Sequence, residues 1–365
     1  MPDASPQERP APPAARPRRP RRRRAWAKLL AAAIAFAAMI PFMELAVRLL
    51  APRPPSWLAI YRRHPALPTF ALLPDARAEV DTGESRWTVR TDAQGFRVPR
   101  DGAPADPRPV ALWLGDSYTF GQGVDFEDTY VGRLAADPSR RDRHVDAGVG
   151  GYGPIQYRQT LEYVLARGLR PRVVLVGTFL GNDFFDCIWS KDVAVHDGVL
   201  ADDGGWKSFI RRRSHLYRLA AAALHRFRPP PIRQDLLDRE MADPRSWSDG
   251  ELAEAERVFR RELQRIAALC REHGIALAVL VIPRDTTVDA VARGGAPAGG
   301  DPALPRDRAV AILRELGIRH LDLTPVLAGR PVAETYFPHD GHFTPRGHAL
   351  AADAMRAAWA DLLLR

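Results

Sequence analysis

The chain has 365 residues, 46% of them apolar and 27% charged, enough apolar content for a sizeable core and too much for wholesale disorder. Its two cysteines, Cys187 and Cys270, are too few for a disulfide scaffold and are not spaced as paired metal ligands, which excludes a small stapled fold and a zinc ribbon. The formal charge of +9 is unevenly placed: residues 1–28 hold nine Lys or Arg against Asp3 and Glu8, a net of +7, leaving +2 for the other 337 residues.

A protein that tracks phosphates carries its excess charge on the folded part, so no nucleic-acid partner is expected. Residues 1–28, rich in Pro and Arg, are expected to form a disordered basic tail. Residues 29–43 (LLAAAIAFAAMIPFM) are uncharged. As a helix they span about 22 Å, against a hydrocarbon core of about 30 Å. The span becomes long enough if Trp26 and Lys28 reach one interface and the Glu44 and Arg48 pair, spaced i and i+4, sits at the other. A transmembrane anchor over 29–50 follows, with the arginines inside and the body exported, which places the protein at the cell inner membrane with a periplasmic body. A cleaved signal peptide is the alternative. No small-x-small site follows the apolar run, because Glu44, Val47 and Arg48 stand there, which favours an uncleaved helix. Residues 23–28 (RRAWAK) also loosely resemble a twin-arginine export signal, which changes the route and not the destination.

Residues 51–109 read as a linker and accessory region, opening with APRPP and holding one strand signal at 87–90 before a turn at 92–95. Short apolar runs without alternation then recur between helical stretches, at 110–114, 145–149, 172–180, 275–282 and 318–323. This is the pattern of a five-stranded parallel sheet covered on both faces, a doubly wound α/β domain over 110–365. A helix over 248–272 carries Leu252, Val258, Phe259, Leu263, Ile266 and Leu269 on one face. Near the end of the sequence Thr344 caps a helix that begins with Pro345 and carries Ala351, Met355, Ala358, Trp359 and Leu362 as one stripe. Between strand and helix, 184–247 is an insertion of weak pattern, a lid or an external excursion. Its Trp189, Trp206, Tyr217 and Trp247 are candidates for stacking on sugar rings, and Arg211, Arg212 and Arg213 for attracting an acidic polymer. Packing of those aromatics on the domain serves equally well.

Reactive groups of an open parallel sheet lie at the carboxyl ends of its strands. The first strand ends in Gly115-Asp116-Ser117, which exposes a hydroxyl where the chain turns into a helix. The second runs into the glycine cluster 146–153, where backbone N–H groups can approach a substrate oxygen. The third ends in Gly181-Asn182-Asp183, whose Asn amide is a donor for the same oxygen. Asp340-Gly341-His342 precedes the Thr344 cap, so the Asp can orient an imidazole that deprotonates Ser117. Asp116 is expected to tie down the nucleophile turn and Asp183 to cap the turn after it. Among rival bases, His339 lacks a partner and His348 is expected on the surface of a helix. Cys187 and Cys270 are read as ordinary buried thiols, with a disulfide as the alternative in an oxidising compartment.

These blocks, Gly115-Asp116-Ser117-Tyr118-Thr119-Phe120-Gly121, the glycine cluster, Gly181-Asn182-Asp183 and Asp340-Gly341-His342, resemble the four blocks of the SGNH (GDSL-type) hydrolase superfamily in order and spacing, over about 110–363. Glu44-Leu45-Ala46-Val47-Arg48 at the end of the apolar helix resembles its membrane-anchored bacterial members. The resemblance implies a three-layer α/β/α flavodoxin-like fold, ester or acetyl chemistry, and no metal or organic cofactor. By the same resemblance Ser117 is the nucleophile, His342 the base and Asp340 its partner, with an oxyanion hole from the Ser117 and Gly151 N–H groups and the Asn182 amide. Gly148, Gly150 and Gly153 remain alternatives to Gly151. The Asp-x-His spacing is one residue shorter than in many members.

The expected activity is an anchored serine esterase that removes acyl groups from a glycan or lipid-linked saccharide. An O-acetyltransferase, partnered by a multi-spanning acyl exporter, and a silent glycan-binding module are the alternatives. Ser before Asp and His resembles the order in esterases more than that in alginate-type acetyltransferases.

Overall fold

A computed structural model describes residues 21–52, 58–103, 105–188, 193–196, 198–200, 210, 213–227, 248–294 and 304–364. Its centre is a parallel sheet of β6 (Val110–Gly115), β7 (Arg143–Asp146), β8 (Pro171–Phe179), β11 (Ala276–Ile282) and β12 (Arg319–Asp322). Their order across the sheet is β12-β11-β8-β6-β7, the flavodoxin-like arrangement in which the chain reverses direction beside the first parallel strand.

Both faces of this sheet are buried, as the unalternating apolar runs require. Leu112, Leu114, Val174, Val176, Val279 and Val281 face one way, against helices Pro154–Ala166, Asp249–Glu272 and Leu304–Glu315 through Leu161, Phe259, Ile266 and Leu313. Their neighbours Ala111, Trp113, Val173, Leu175, Ala278 and Leu280 face the other way, against helices Tyr130–Ala135 and Pro345–Ala358 through Val131, Met355 and Trp359. The result is the expected three-layer α/β/α fold. Helix starts follow local chemistry. Ser248 and Glu251 form a reciprocal capping box at the head of Asp249–Glu272, and the Thr344 hydroxyl accepts the Gly347 N–H before Pro345.

The sheet is larger than the five parallel strands expected. Three antiparallel strands, β3 (Arg77–Asp81), β4 (Arg86–Thr91) and β5 (Arg97–Val98), extend it beyond β7 to eight strands, in the order β7-β5-β4-β3. The accessory part of 51–109 is therefore built onto the sheet. Val80, Trp87 and Val89 join the same core as Leu112 and Leu114. A separate hairpin, β1 (Tyr61–Arg63) with β2 (Phe70–Leu72), packs near the glycine cluster. In the insertion, β9 (Val195–His196) and β10 (Val199–Leu200) form a second hairpin tied to β1, with the Tyr61 N–H donating to the Gly198 carbonyl at 2.7 Å. Trp189, Trp206, Arg211, Arg212 and Trp247 lie outside the described residues, as do residues 1–20.

The apolar helix runs over Arg21–Leu50, with Pro41 inside it, so 21–28 of the expected tail are helical. Among the described residues one helix, Trp26–Leu50, is long and apolar enough to cross a membrane, and none of its most apolar window is buried by the rest of the chain. Cys187 and Cys270 are both buried and free.

Gly115 shows how tightly the sheet edge holds the first loop. A Cβ there would overlap the Thr119 hydroxyl and stand 2.9 Å from the Gly177 carbonyl. Gly115→Ala is expected to destabilise the domain by roughly 1–3 kcal/mol, as overpacking does, and to lower the thermal midpoint measured by circular dichroism.

Candidate active site

Ser117 opens a four-residue helix, Ser117–Phe120, directly after β6. Buried Asp116 caps it by accepting the Tyr118 N–H at 2.9 Å, and Gly121, at φ +79°, ends it in the left-handed region that suits glycine. Two further contacts fix the short helix. Thr119 accepts the Tyr130 hydroxyl at 2.7 Å, and the buried Arg97 guanidinium donates to the carbonyls of Phe120, Gly121 and Val124. Ser117 is left half-exposed at the carboxyl edge of the sheet.

His342 arrives there from the loop before helix Pro345–Ala358. Its Nε2 lies 2.7 Å from Ser117 Oγ, and its Nδ1 lies 2.9 Å from Asp340 Oδ2. Sequence reading had paired these three residues, and the structure brings them into one relay. Asp-x-His spacing suffices because Gly341, at φ +76°, folds the loop so that both side chains meet. The loop is closed by backbone bonds from the Phe337 N–H to the His342 carbonyl and from the Gly341 N–H to the Phe337 carbonyl.

Burial alone would lower the His342 pKa, but the hydrogen bond to Asp340 and the negative charges of Asp340 and Asp116 hold it above the ordinary histidine value. Burial would likewise raise Asp340. The hydrogen bond and charge of His342, with the Gln122 amide, bring it below the ordinary carboxylate range.

Tyr118, inside the first block, and three residues outside the blocks, Gln122, Glu84 and Tyr61, surround this arrangement. The Tyr118 hydroxyl donates to the Gly341 carbonyl at 2.6 Å, and its ring lies against His342 with centroids 4.9 Å apart. Gln122 Nε2 donates to the second Asp340 oxygen at 3.3 Å. Glu84, in the turn between β3 and β4, accepts the backbone N–H groups of His339 and Asp340, each at 3.0 Å. Tyr61 approaches the glycine cluster: a Cβ on Gly150 would lie 3.0 Å from its hydroxyl and 3.7 Å from Ser117 Cβ. Gln122, five residues beyond the serine, was within reach of sequence reasoning. Glu84 was not, since nothing in its local sequence points to a loop more than 250 residues away.

The oxyanion candidates converge less uniformly. Among the described residues, the N–H groups of Ser117, Gly150 and Gly151 have no hydrogen-bond acceptor. Gly150 packs beside Ser117, whereas Gly151, at φ +86°, turns the place of its missing side chain toward the Phe70 ring. Asn182 stands half-buried after β8, and its side-chain oxygen has no partner among the described residues. Gly148 and Gly153 pack instead against the Phe120 backbone and the Asp186 side chain.

Asp183 and His348 differ from expectation. Asp183 does not cap a turn; it is fully buried and accepts the hydroxyls of Tyr157 and Thr178. His348 is buried rather than on the surface, because its helix face packs on Tyr130, whose backbone N–H its Nδ1 accepts at 3.3 Å. His339 contributes its backbone, through Glu84. Among the described residues no group of three or more His, Cys, Asp or Glu side chains is placed to hold a metal ion.

Neutral His342 is placed to accept the serine proton, so reactivity is expected to rise with pH through one ionisation above the ordinary value of 6.5 and then level off. Asp340→Asn removes the carboxylate that raises it. The midpoint of fluorophosphonate inactivation against pH should move down, and the plateau should fall by roughly 10³–10⁴-fold; an unmoved midpoint contradicts the pairing. Glu84→Ala removes the carboxylate that accepts two N–H groups of the histidine loop, a loss of about 0.5–1.5 kcal/mol. The inactivation rate should drop by up to about tenfold while circular dichroism stays native, and Glu84→Gln should recover part of the rate.

Residues 243–363 match a family model described as SGNH hydrolase-like domain, acetyltransferase AlgX. This stretch contains Asp340 and His342 but not Ser117, which is placed by the geometry above. No curated protein matches the chain. Among solved structures, the chain is similar to a member of the lipolytic protein G-D-S-L family from Veillonella parvula, at 12% identity and a TM-score of 0.40, over 69% of this chain and 99% of that one. It is also similar to Axe2, an acetylxylan esterase from Geobacillus stearothermophilus, at 12% identity and a TM-score of 0.39, over 68% of this chain and 93% of that one. Over 243–363 the chain is thus similar to an SGNH hydrolase-like domain, and its Ser117, His342 and Asp340 stand in hydrogen-bonded series at the edge of a flavodoxin-like sheet.

Proposed function

We propose that the protein is a membrane-anchored serine esterase that removes acyl groups, acetyl above all, from a glycan or lipid-linked saccharide. The observation that carries this reading is the 2.7 Å approach of His342 Nε2 to Ser117 Oγ, continued by the 2.9 Å bond to Asp340. As Ser117 Oγ bonds to the ester carbonyl, its proton passes to His342 Nε2, and Asp340 stabilises the imidazolium that forms. The Ser117 N–H, a glycine N–H from 150–151 and the Asn182 amide take the negative charge on the former carbonyl oxygen. Collapse breaks the bond to the saccharide oxygen, which leaves with the proton from His342. Water, deprotonated by the same ring, then attacks the acyl-serine; the acyl–Oγ bond breaks, the ring returns its proton to Ser117 Oγ, and the carboxylic acid departs.

A saccharide hydroxyl in place of that water would make the enzyme an O-acetyltransferase. The acetyltransferase family model over 243–363 favours this second reading. Trp26–Leu50 serves as a single-pass anchor in the cell inner membrane in either case, with the arginines before it cytoplasmic and the domain periplasmic. A multi-spanning acyl exporter is the natural partner of the transferase.

The full chain treated with a fluorophosphonate and digested for mass spectrometry should carry its adduct on Ser117, and Ser117→Ala should carry none. The same variant should lose release of phenol from an aryl acetate by at least about 10³-fold. Adducts elsewhere, or equal rates for both proteins, overturn the proposal. Polysaccharide binding that survives Ser117→Ala with no adduct in either protein would identify a silent binding module.

A further inference from the structure

The insertion supplies a helix, His215–Phe227, whose start is built onto the far end of the apolar helix. Glu44 accepts the Ser214 hydroxyl at 2.8 Å and the backbone N–H groups of His215 and Leu216, each at 2.9 Å. Arg48 bonds Glu44 at 2.6 Å and donates to the Arg213 carbonyl at 2.6 Å. A carboxylate thus satisfies the first N–H groups of a helix that begins 170 residues later, at the end where negative charge is favoured.

The depth of that junction follows from the chain. Residues 26–43 supply about 27 Å of helix before Glu44, close to the roughly 30 Å of a hydrocarbon core. Glu44 therefore stands at the hydrocarbon edge, and the first turn of His215–Phe227 stands with it. This helix is amphipathic. Tyr217, Ala220 and Leu224, spaced i, i+3 and i+7, form an apolar stripe, while Arg218 lies on the opposite side. The stripe is open: Leu224 is 60% exposed and Tyr217 44%, and Ala220 and Ala223 are exposed beside them. It is continuous at its head with the uncovered apolar surface of Trp26–Leu50.

We propose that His215–Phe227 lies in the membrane interface, with Tyr217, Ala220 and Leu224 in the acyl-chain boundary and Arg218 toward anionic headgroups. The occupant of the apolar stripe is the lipid bilayer itself. A short helix with an apolar face and basic residues opposite binds a surface weakly alone; here the Glu44 cap holds it at the right depth. The inference rests on the reading of Trp26–Leu50 as an uncleaved anchor, and it gives the insertion a place on the membrane where a lipid-borne substrate would arrive.

The test uses the full chain in vesicles of phosphatidylcholine and phosphatidylglycerol. Leu224→Cys and, separately, Phe36→Cys are labelled with an environment-sensitive fluorophore, since both native cysteines are buried. Quenching is compared between lipids with a spin label near the headgroup and aqueous iodide. The label at 224 should be quenched about twofold by the lipid and little by iodide, and adding Glu44→Gln should reverse that preference. The label at 36, about 15 Å along the helix from Trp26 and so near the bilayer midplane, is read against lipids spin-labelled deep on the acyl chain, and reports the anchor alone. Lipid quenching at 36 with only iodide quenching at 224 overturns the interfacial helix, whereas absence of lipid quenching at 36 overturns the anchor and the inference together.

Discussion

Everything chemical in this fold depends on a single approach, the Ser117 hydroxyl to the His342 ring, between residues 225 positions apart in the chain. A hydrogen bond of that kind tolerates little displacement. Its two sides are held by unrelated means. The serine side is rigid because β6 is buried on both faces and Gly115, Thr119 and Gly177 pack too closely for a methyl group to enter. The histidine side is a loop with no such sheet beneath it. It is instead gripped at three points, by Tyr118 on the Gly341 carbonyl, by Gln122 on Asp340 and by Glu84 on two backbone N–H groups.

The charges around that approach are arranged to keep it productive. Three buried carboxyls surround the sheet edge without joining the relay. Burial first, and then the nearby charge of Asp116, keeps the Asp183 pKa well above the carboxylate range, and the Tyr157 and Thr178 hydroxyls hold its oxygens. That upward shift weakens negative charge beside Asn182, where an oxyanion would form. Asp146 is pushed up to about 7 by burial, opposed by the Gly148 N–H and by Arg97, whose own pKa burial brings down to about 10. Asp116, by contrast, is committed to capping the nucleophile helix and helps to raise His342.

The parallel strands were readable because a sheet buried on both faces has no polar alternation, and the four blocks were readable because each falls at a strand end or before a helix cap. The second strand shows the limit. An apolar run at 145–149 suggested a strand there, but pairing with β6 occupies Arg143–Asp146, where His144 accepts the Trp113 indole N–H at 2.9 Å. Val149, past the strand, is buried in the glycine loop. Strands β3 and β5 escaped notice because RAEVD and RV are short and charged, and only pairing with neighbours makes them strands. Asp183 and His348 were misplaced for a related reason: their partners, Tyr157 and Tyr130, are distant in the chain, and burial of a polar group depends on such partners.

The turn between β3 and β4 ties the earliest part of the domain to nearly the last. Strands β3, β4 and β5 leave the ribosome before β7, the strand that joins them to the parallel sheet, and long before the 339–342 loop that Glu84 holds. Until those arrive, the edge of β5 has nothing to pair with and the carboxylate has nothing to accept. The 339–342 loop can therefore settle only after the β3–β4 turn has met it. Assembly of the relay becomes a late event of folding, and a chain halted before residue 339 would hold the serine without the imidazole that stands beside it.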